Sequence, residues 1–283
     1  MLLRFMSGLI GIPLLIVLVF VNDGIPLVWG LGTISVIALY EFYSGVRRTG
    51  AEPQEWVGLA SAFLFLFAAR NEFQGKEFSM PAVLTFFVIA TLSIELLQKN
   101  RHPIKNLGST FLGVVYVGWL FSYLVAINSL TGTFQFVYVE GAVRRGAWLV
   151  LFIMFAVWAA DTGGYLVGRK WGKHKLAPTL SPGKSWEGFF AGMAASLVMC
   201  LAMGLAVGAR WEHMMILGVC ISIAGTVGDL AESAMKRDIG IKDFGSILPG
   251  HGGILDRFDG LLFAAPLFYY YIKHFSGFIF PMH

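Results

Sequence analysis

Apolar runs long enough to cross a membrane recur along almost the whole of this sequence, and nothing else in it limits the fold so strongly. About nine candidate spans of roughly 15–25 residues lie near 5–22, 25–45, 56–70, 80–98, 107–130, 146–168, 186–208, 213–235 and 260–280. Only 13% of the 283 residues are charged and 57% are hydrophobic, whereas an ordinary soluble domain is about 25% charged. A chain of this size cannot hide that much apolar surface from water, so part of its solvent is lipid. Inside lipid every backbone polar group must be satisfied within the protein, and helices do this segment by segment. The expectation is an all-α, polytopic integral membrane protein with about nine transmembrane helices. Three regions are expected: N-terminal helices at 1–75 for support or dimerisation, middle helices at 76–145, and a catalytic region at 146–283. The stretch after the first run, VFVNDGIP, has no small-x-small cleavage site, so that run is read as a retained helix.

Nine spans put the termini on opposite faces. The face holding the N-terminus and the breaks after the second, fourth, sixth and eighth spans carries 15 of the 21 Lys and Arg. By the positive-inside rule that face is cytoplasmic. The expected location is therefore a bacterial-type cytoplasmic (inner) membrane, with the N-terminus inside and the C-terminus outside. Both long polar loops, about 169–185 and 236–259, then face the cytoplasm, where nucleoside triphosphates are found. The net charge of +4 reflects these flanking residues. No basic helix interleaved with stacking aromatics lies outside the apolar runs, which argues against a nucleic-acid partner. Cys200 and Cys220 both lie in apolar runs and are expected to be inert buried thiols.

The polar residues that interrupt this pattern form four constellations. The first is Asp229 with Glu232 in GDLAESAMKR, at the end of the eighth span. Three residues apart, the two acids share a helix face, and ionisable groups in a membrane helix are functional suspects by default. A bland alternative exists for Glu232, an i,i+4 pair with Lys236. The second is Lys242-Asp243-Phe244-Gly245 followed by Leu248-Pro249-Gly250-His251-Gly252-Gly253. Its glycines allow backbone N–H groups to cradle a phosphate; the alternative is a plain flexible loop. The third is Asp256-Arg257-Phe258-Asp259, two acids at i,i+3 where the ninth span begins. Mg²⁺ takes one or two carboxylates with water and substrate phosphates, while the lesser reading is a complement to the helix dipole. The fourth joins Asp161-Thr162-Gly163-Gly164-Tyr165 with the loop Ser181-Pro182-Gly183-Lys184-Ser185-Trp186-Glu187-Gly188. Gly183-Lys184-Ser185 looks like the end of a P-loop, but the position needing the first Gly is Pro178, and that reading fails. Lys184 and Ser185 at a helix start still suit an anionic phosphate. Glu41 and Glu95 lie near span ends; Glu95 is expected to be interfacial and solvated, and Glu41 is open between that and function.

The segment Ser233-x-Met-Lys236-Arg237-x4-Lys242-Asp243-x-Gly245-x2-Leu-Pro249-x-His251-Gly252-Gly253-Ile-x-Asp256-Arg257-Phe-Asp259 resembles the signature of the phosphatidate cytidylyltransferases, or CDP-diacylglycerol synthases. The Asp161, Ser181–Gly188 and Gly228-Asp-Leu segments also look like motifs of that family. The resemblance is firm over the C-terminal half; the first 145 residues share only apolar spans and an acid near Glu41. It implies the reaction of CTP with phosphatidate to give CDP-diacylglycerol and pyrophosphate, within phospholipid biosynthesis. It also implies Mg²⁺ dependence, an all-helical membrane fold and a homodimer.

For the reaction that the resemblance implies, the expected mechanism is in-line attack of a phosphatidate oxygen on the α-phosphorus of CTP. Asp229, Asp256 and Asp259 are the expected metal ligands, with room for a second cation. Asp229, Asp256, Asp243, His251 and Lys236 are the expected catalytic set. Lys184, Ser185, Arg237, Lys242, Gly252, Gly253, Arg257, Asp161 and Glu187 are expected to bind the nucleotide and its phosphates. Two other readings stay open: a CTP-dependent polyprenol or dolichol kinase, and an ion-coupled transporter using Asp161, Asp229 and Glu232. A CDP-alcohol phosphotransferase is disfavoured, because Gly260-Leu261-Leu262 follows the acids where that family needs Asp-Gly-x2-Ala-Arg.

Overall fold

A computed structural model describes residues 15–73, 78–98, 102–245 and 252–280. After a helical stretch at 15–20, the chain forms α1 (Ile25–Arg47), α2 (Glu55–Phe73), α3 (Met80–Glu95) and α4 (Pro103–Asn128, with a π-helical stretch at Val114–Trp119). A hairpin of β1 (Thr133–Gln135) and β2 (Ala142–Arg144) leads into α5 (Arg145–Trp171). A second antiparallel hairpin, β3 (Lys175–Ala177) with β4 (Ser181–Ser185), leads into α6 (Trp186–Leu205). Then come α7 (Trp211–Ile239), a short 3₁₀ turn at Leu255–Arg257, and α8 (Asp259–Ile279). Prolines stand at the first turns of α1, α3 and α4, where a missing N–H costs nothing.

Among the described residues, five helices are long and apolar enough to cross a membrane: α1, α4, α5, α6 and α7. Four of the nine expected spans are not among these five. The first run lies mostly outside the described residues. α3 has 16 residues, about 24 Å at 1.5 Å per residue, which is short of a hydrocarbon core of about 30 Å. α2 carries Glu55, Arg70 and Glu72, and α8 carries Lys273 and His274 with Pro266 inside it. Apart from two short hairpins the described chain is helical, in keeping with an all-α membrane protein. The hairpin strands are only three to five residues long, too short for a periodic signal to stand out in the sequence.

The chain divides into two compact units, residues 1–129 with 236–258, and residues 130–235 with 259–283. In the first, α2 packs on α1, α3 and α4 around Leu39, Phe42, Tyr43, Phe65, Leu66, Phe121 and Leu124. The π-helical stretch brings Gly118 against Ala62, whose Cα would lie 2.7 Å from any Cβ at 118. A buried polar knot ties the entry of α2 to α3 and α4. The Gln54 amide donates to Glu95 Oε2 (2.8 Å) and to the Thr91 carbonyl (2.9 Å), and Asn106 Nδ2 donates to Glu95 Oε1 (3.2 Å). Glu95 is therefore buried and hydrogen-bonded, not interfacial and solvated. Its partners lie 41 and 11 residues away.

In the second unit, α5 and α6 form the most extensive pairing. Glycines make this possible: a Cβ at Gly192 would stand 2.5 Å from the Ala160 carbonyl oxygen, and one at Gly163 would stand 2.8 Å from Ala195 Cβ. Small residues facing each other let helix backbones approach closely, a common device in membranes. α8 meets α5 through Phe152 and Phe268, whose ring centroids are 5.3 Å apart. Large apolar side chains stay outside, among them Val198 at 68% and Phe190 at 54% exposure. Such outward apolar faces suit lipid and not water. Cys200 and Cys220 are free thiols, Cys200 buried.

Candidate active site

In the second unit, three helices and a strand deliver four carboxyls and one ammonium to one place. α5 supplies Asp161, β4 supplies Lys184, α7 supplies Asp229 and Glu232, and the first residue of α8 is Asp259. Lys184 Nζ stands 2.5 Å from Asp229 Oδ2, and Ser233 Oγ lies 3.4 Å from Asp229 Oδ1. Asp161 lies within electrostatic reach of both Asp229 and Lys184. Asp259 lies within reach of Asp229 and Asp161, is hydrogen-bonded with the Glu232 side chain, and accepts the Gly260 N–H at 2.8 Å. Glycine again controls the approach. A Cβ at Gly260 would press to 3.2 Å from the Gly225 carbonyl oxygen, and one at Gly228 to 3.1 Å from Phe263. The start of α8 thus lies directly against α7, which is how residues 30 apart in sequence come to face each other.

Four acids against one lysine leave this cluster short of positive charge. Gathered carboxylates repel one another unless protons or cations neutralise them. Among the described residues, no three His, Cys, Asp or Glu side chains form a ready-made metal cage. Mg²⁺ does not require one, because it binds through one or two carboxylates and fills its sphere with water and substrate phosphates. The donor set of Asp229 and Asp259, with Asp161 nearby, fits that habit.

In the first unit, the segment after α7 is pinned by two acids. α7 ends with Gly240 at φ 78°, and Ile241 N–H donates back to the Lys236 carbonyl at 2.9 Å, a Schellman-type stop. Asp256 then accepts three bonds: from Lys236 Nζ (2.8 Å), Phe244 N–H (3.1 Å) and Gly253 N–H (2.9 Å). Its side chain is 7% exposed. Glu41, buried in α1, accepts the Leu255 N–H at 3.1 Å and is also hydrogen-bonded by the Ile254 backbone. Gly253 sits against both acids: a Cβ there would lie 2.7 Å from Glu41 Oε2 and 2.8 Å from Asp256 Oδ2. Gly252 takes φ 79°, and a Cβ on it would come within 3.6 Å of Asp243 Oδ1. Phe244 is buried against Phe42, with ring centroids 5.5 Å apart, which anchors the segment's other end. Lys242, Asp243 and Arg257 are exposed, and Arg237 Nη1 donates to the Ile241 carbonyl at 3.3 Å.

Within each unit, several of the expected site residues come together. Asp161, Lys184, Asp229 and Asp259 come together in the second unit. Lys236, Gly253 and Asp256, with Asp243 and Gly252 near them, come together in the first. Ser185 is the N-cap of α6, its Oγ accepting the Gly188 N–H at 3.2 Å. Glu187 accepts the backbone N–H groups of Lys173 (3.1 Å) and His174 (3.2 Å) and pairs with the His174 ring at 2.6 Å. Both residues therefore shape the loop between α5 and α6. His251 lies outside the described residues. The residue whose part was least foreseen is Glu41. Its one signal in the sequence is an acid inside an apolar helix, and its partner segment lies 214 residues away.

The family model described as "Cytidylyltransferase family" matches residues 2–275. The chain is 30% identical to the phosphatidate cytidylyltransferase of Bacillus subtilis over 279 residues, covering 96% of this chain and 98% of that protein. It is 41% identical to the phosphatidate cytidylyltransferase of Staphylococcus saprophyticus over 179 residues, 62% of this chain and 63% of that protein. The same enzyme of Staphylococcus epidermidis is 42% identical over 178 residues, again 62% and 63% of the two chains.

Proposed function

Because the chain belongs to the cytidylyltransferase family, we propose that it is a phosphatidate cytidylyltransferase that joins CTP and phosphatidate into CDP-diacylglycerol with release of pyrophosphate. The observation that carries this reading is the acid cluster of Asp161, Asp229 and Asp259 beside Lys184, with Asp161 and Asp229 carried by the apolar helices α5 and α7. A reaction between two polyanions needs such a place, where cations and acids coexist and charge can be neutralised. In the reaction, a phosphatidate oxygen bonds to the α-phosphorus of CTP. The bond from that phosphorus to the β-phosphate bridging oxygen breaks, and pyrophosphate takes the electron pair. Mg²⁺, when bound, would offset charge on the triphosphate. Asp229 and Asp259 would hold it, with Asp161 supporting.

Lys184 exchanges its carboxylate partner for a phosphate oxygen as substrate arrives. In the signature segment, Lys242, Arg237 and Arg257 are assigned to phosphate, while Asp256 and Glu41 hold the backbone N–H groups in place. The phosphatidate phosphate is already ionised near pH 7, so no strong general base is needed. The Lys and Arg bias of the sequence supports a cytoplasmic site with the acyl chains entering from the bilayer.

The test uses purified protein in detergent with phosphatidate and labelled CTP, with and without Mg²⁺. Mg²⁺-dependent pyrophosphate release with a CMP-bearing lipid is the expected result. Release of CDP with a phosphorylated lipid would replace this reading with a lipid kinase. Absence of turnover with any CTP–lipid pair would remove the enzymatic reading.

A further inference from the structure

A shallow groove of about 800 Å³ opens where α6 begins, and none of its walls belongs to the acid cluster. Lys173, His174, Lys175 and Pro178 form its polar side, and Trp186 and Phe190 form its apolar side. The two aromatic residues are one turn apart on α6, stacked with centroids 5.9 Å apart and planes at 29°. They stay 46% and 54% exposed. The three basic residues are exposed as well. Glu187, the acid in the groove wall, is already committed to the Lys173 and His174 backbone N–H groups and the His174 ring. It leaves the two ammonium groups alone: Lys173 and Lys175 have no ion-pair partner among the described residues.

α6 is one of the helices long and apolar enough to span a membrane, and Trp186 is its first residue. The aromatic pair therefore sits at the level where Trp and Tyr gather at membrane–water boundaries, with the lysines just outside it. The end of α5 repeats the pairing, with Lys170 Nζ 4.7 Å from the centre of the Trp171 ring. An occupant has to offer negative charge to the lysines and an apolar body to the rings. A free phosphate offers only the first.

We propose that this groove seats an anionic phospholipid that is not being turned over, its phosphate on Lys173 and Lys175 and its acyl chain along Trp186 and Phe190. Basic residues at a membrane surface select anionic over zwitterionic lipids through charge, and exposed aromatic rings hold the boundary level. The groove would keep a bound lipid at the mouth of the loop that carries Lys184.

The experiment places the full-length protein in nanodiscs of phosphatidylcholine with added phosphatidylglycerol and counts retained lipids by native mass spectrometry. Wild type should retain phosphatidylglycerol in preference to phosphatidylcholine. The double variant Lys173→Gln/Lys175→Gln should lose about tenfold of that preference, and Trp186→Ala should lower retention of both lipids. Equal preference in wild type and the double variant would overturn the proposal. Displacement of phosphatidylglycerol by inorganic phosphate would overturn it too, by identifying a free-anion site. Turnover of the double variant in detergent with short-chain phosphatidate should stay at the wild-type level. Its loss would move the lysines into the reacting machinery and overturn the proposal. Retention is read without turnover, so failure of the enzymatic reading would leave this measurement decisive on its own.

Discussion

At the scale of single residues, four aspartates that look alike in the sequence part company in the structure. Asp256 is saturated by an ammonium and two backbone N–H groups, so its carboxylate organises a loop. Asp259 faces Asp229 and Asp161 and shares a hydrogen bond with Glu232, so its surroundings are mainly other acids. The two should fail differently when made neutral. Asp259→Asn and Asp229→Asn should each lower kcat by about 10²–10³, the scale of losing one preorganised charge-stabilising group. Detergent-solubilised protein should keep its size-exclusion profile and the hydrogen-exchange protection of residues 241–245 and 252–258. Asp256→Asn should instead loosen that segment, since hydrogen bonds to a charged acceptor are worth about 1.5–3 kcal/mol, and turnover should fall together with protection. Wild-type turnover in Asp229→Asn or Asp259→Asn would remove both residues from the reaction. Gly253→Ala belongs to the same argument. Its Cβ would meet both Glu41 Oε2 and Asp256 Oδ2 inside 3 Å, so it should mimic Asp256→Asn in protection and in rate.

At the scale of elements, the α5–α6 seam is where a motif of apparent chemistry turns out to serve packing. Gly163 and Gly164 follow Asp161, and their absent side chains let α6 come close enough for Gly192 to lie against Ala160. The glycines thus place Asp161 by setting the distance of its helix. Gly192→Ala should push a Cβ into the Ala160 carbonyl, which is backbone and cannot swing away. Overpacking of this kind costs about 1–3 kcal/mol, read as a lower thermal midpoint in detergent, with a matching fall in turnover as Asp161 shifts. Gly277→Ala in α8, with nothing within 4 Å of its Cβ, is the control and should hold or slightly raise the midpoint. Elements were also the most legible level in the sequence. Each expected run from 25–45 onward coincides with a helix to within a few residues, because length and apolar content mark a helix without any knowledge of its neighbours. Ser185 and Glu187 were legible as polar residues at a helix start. Their tasks, a cap and a clasp on the Lys173–His174 backbone, depend on a hairpin of one three-residue and one five-residue strand, too short to carry a periodic signal. Glu41 and Glu95 show the same limit from the other side: each is answered by partners that only folding brings near.

At the scale of the whole molecule, the remaining question is which way the chain threads the bilayer, and α5 provides the means to ask it. Its 27 residues rise about 40 Å, more than the hydrocarbon core of about 30 Å, so the chain before it and the chain after it should lie on opposite sides. The basic residues at its ends are unequal. Arg144 and Arg145 precede the apolar stretch, while Arg169, Lys170, Lys173, Lys175 and Lys184 follow it. The positive-inside rule puts the second group in the cytoplasm. In a background of Cys200→Ala and Cys220→Ala, Tyr138→Cys and Pro182→Cys report the two ends, both being exposed positions. A membrane-impermeant maleimide added to intact cells should modify Tyr138→Cys and spare Pro182→Cys, and opening the cells should expose Pro182→Cys as well. Modification of Pro182→Cys from outside would place Lys184 on the face away from cytoplasmic CTP, and the proposed reaction would fail with it. Protection of both positions in intact cells would mean that α5 does not cross, and the membrane reading of the longest apolar helix before α7 would fall.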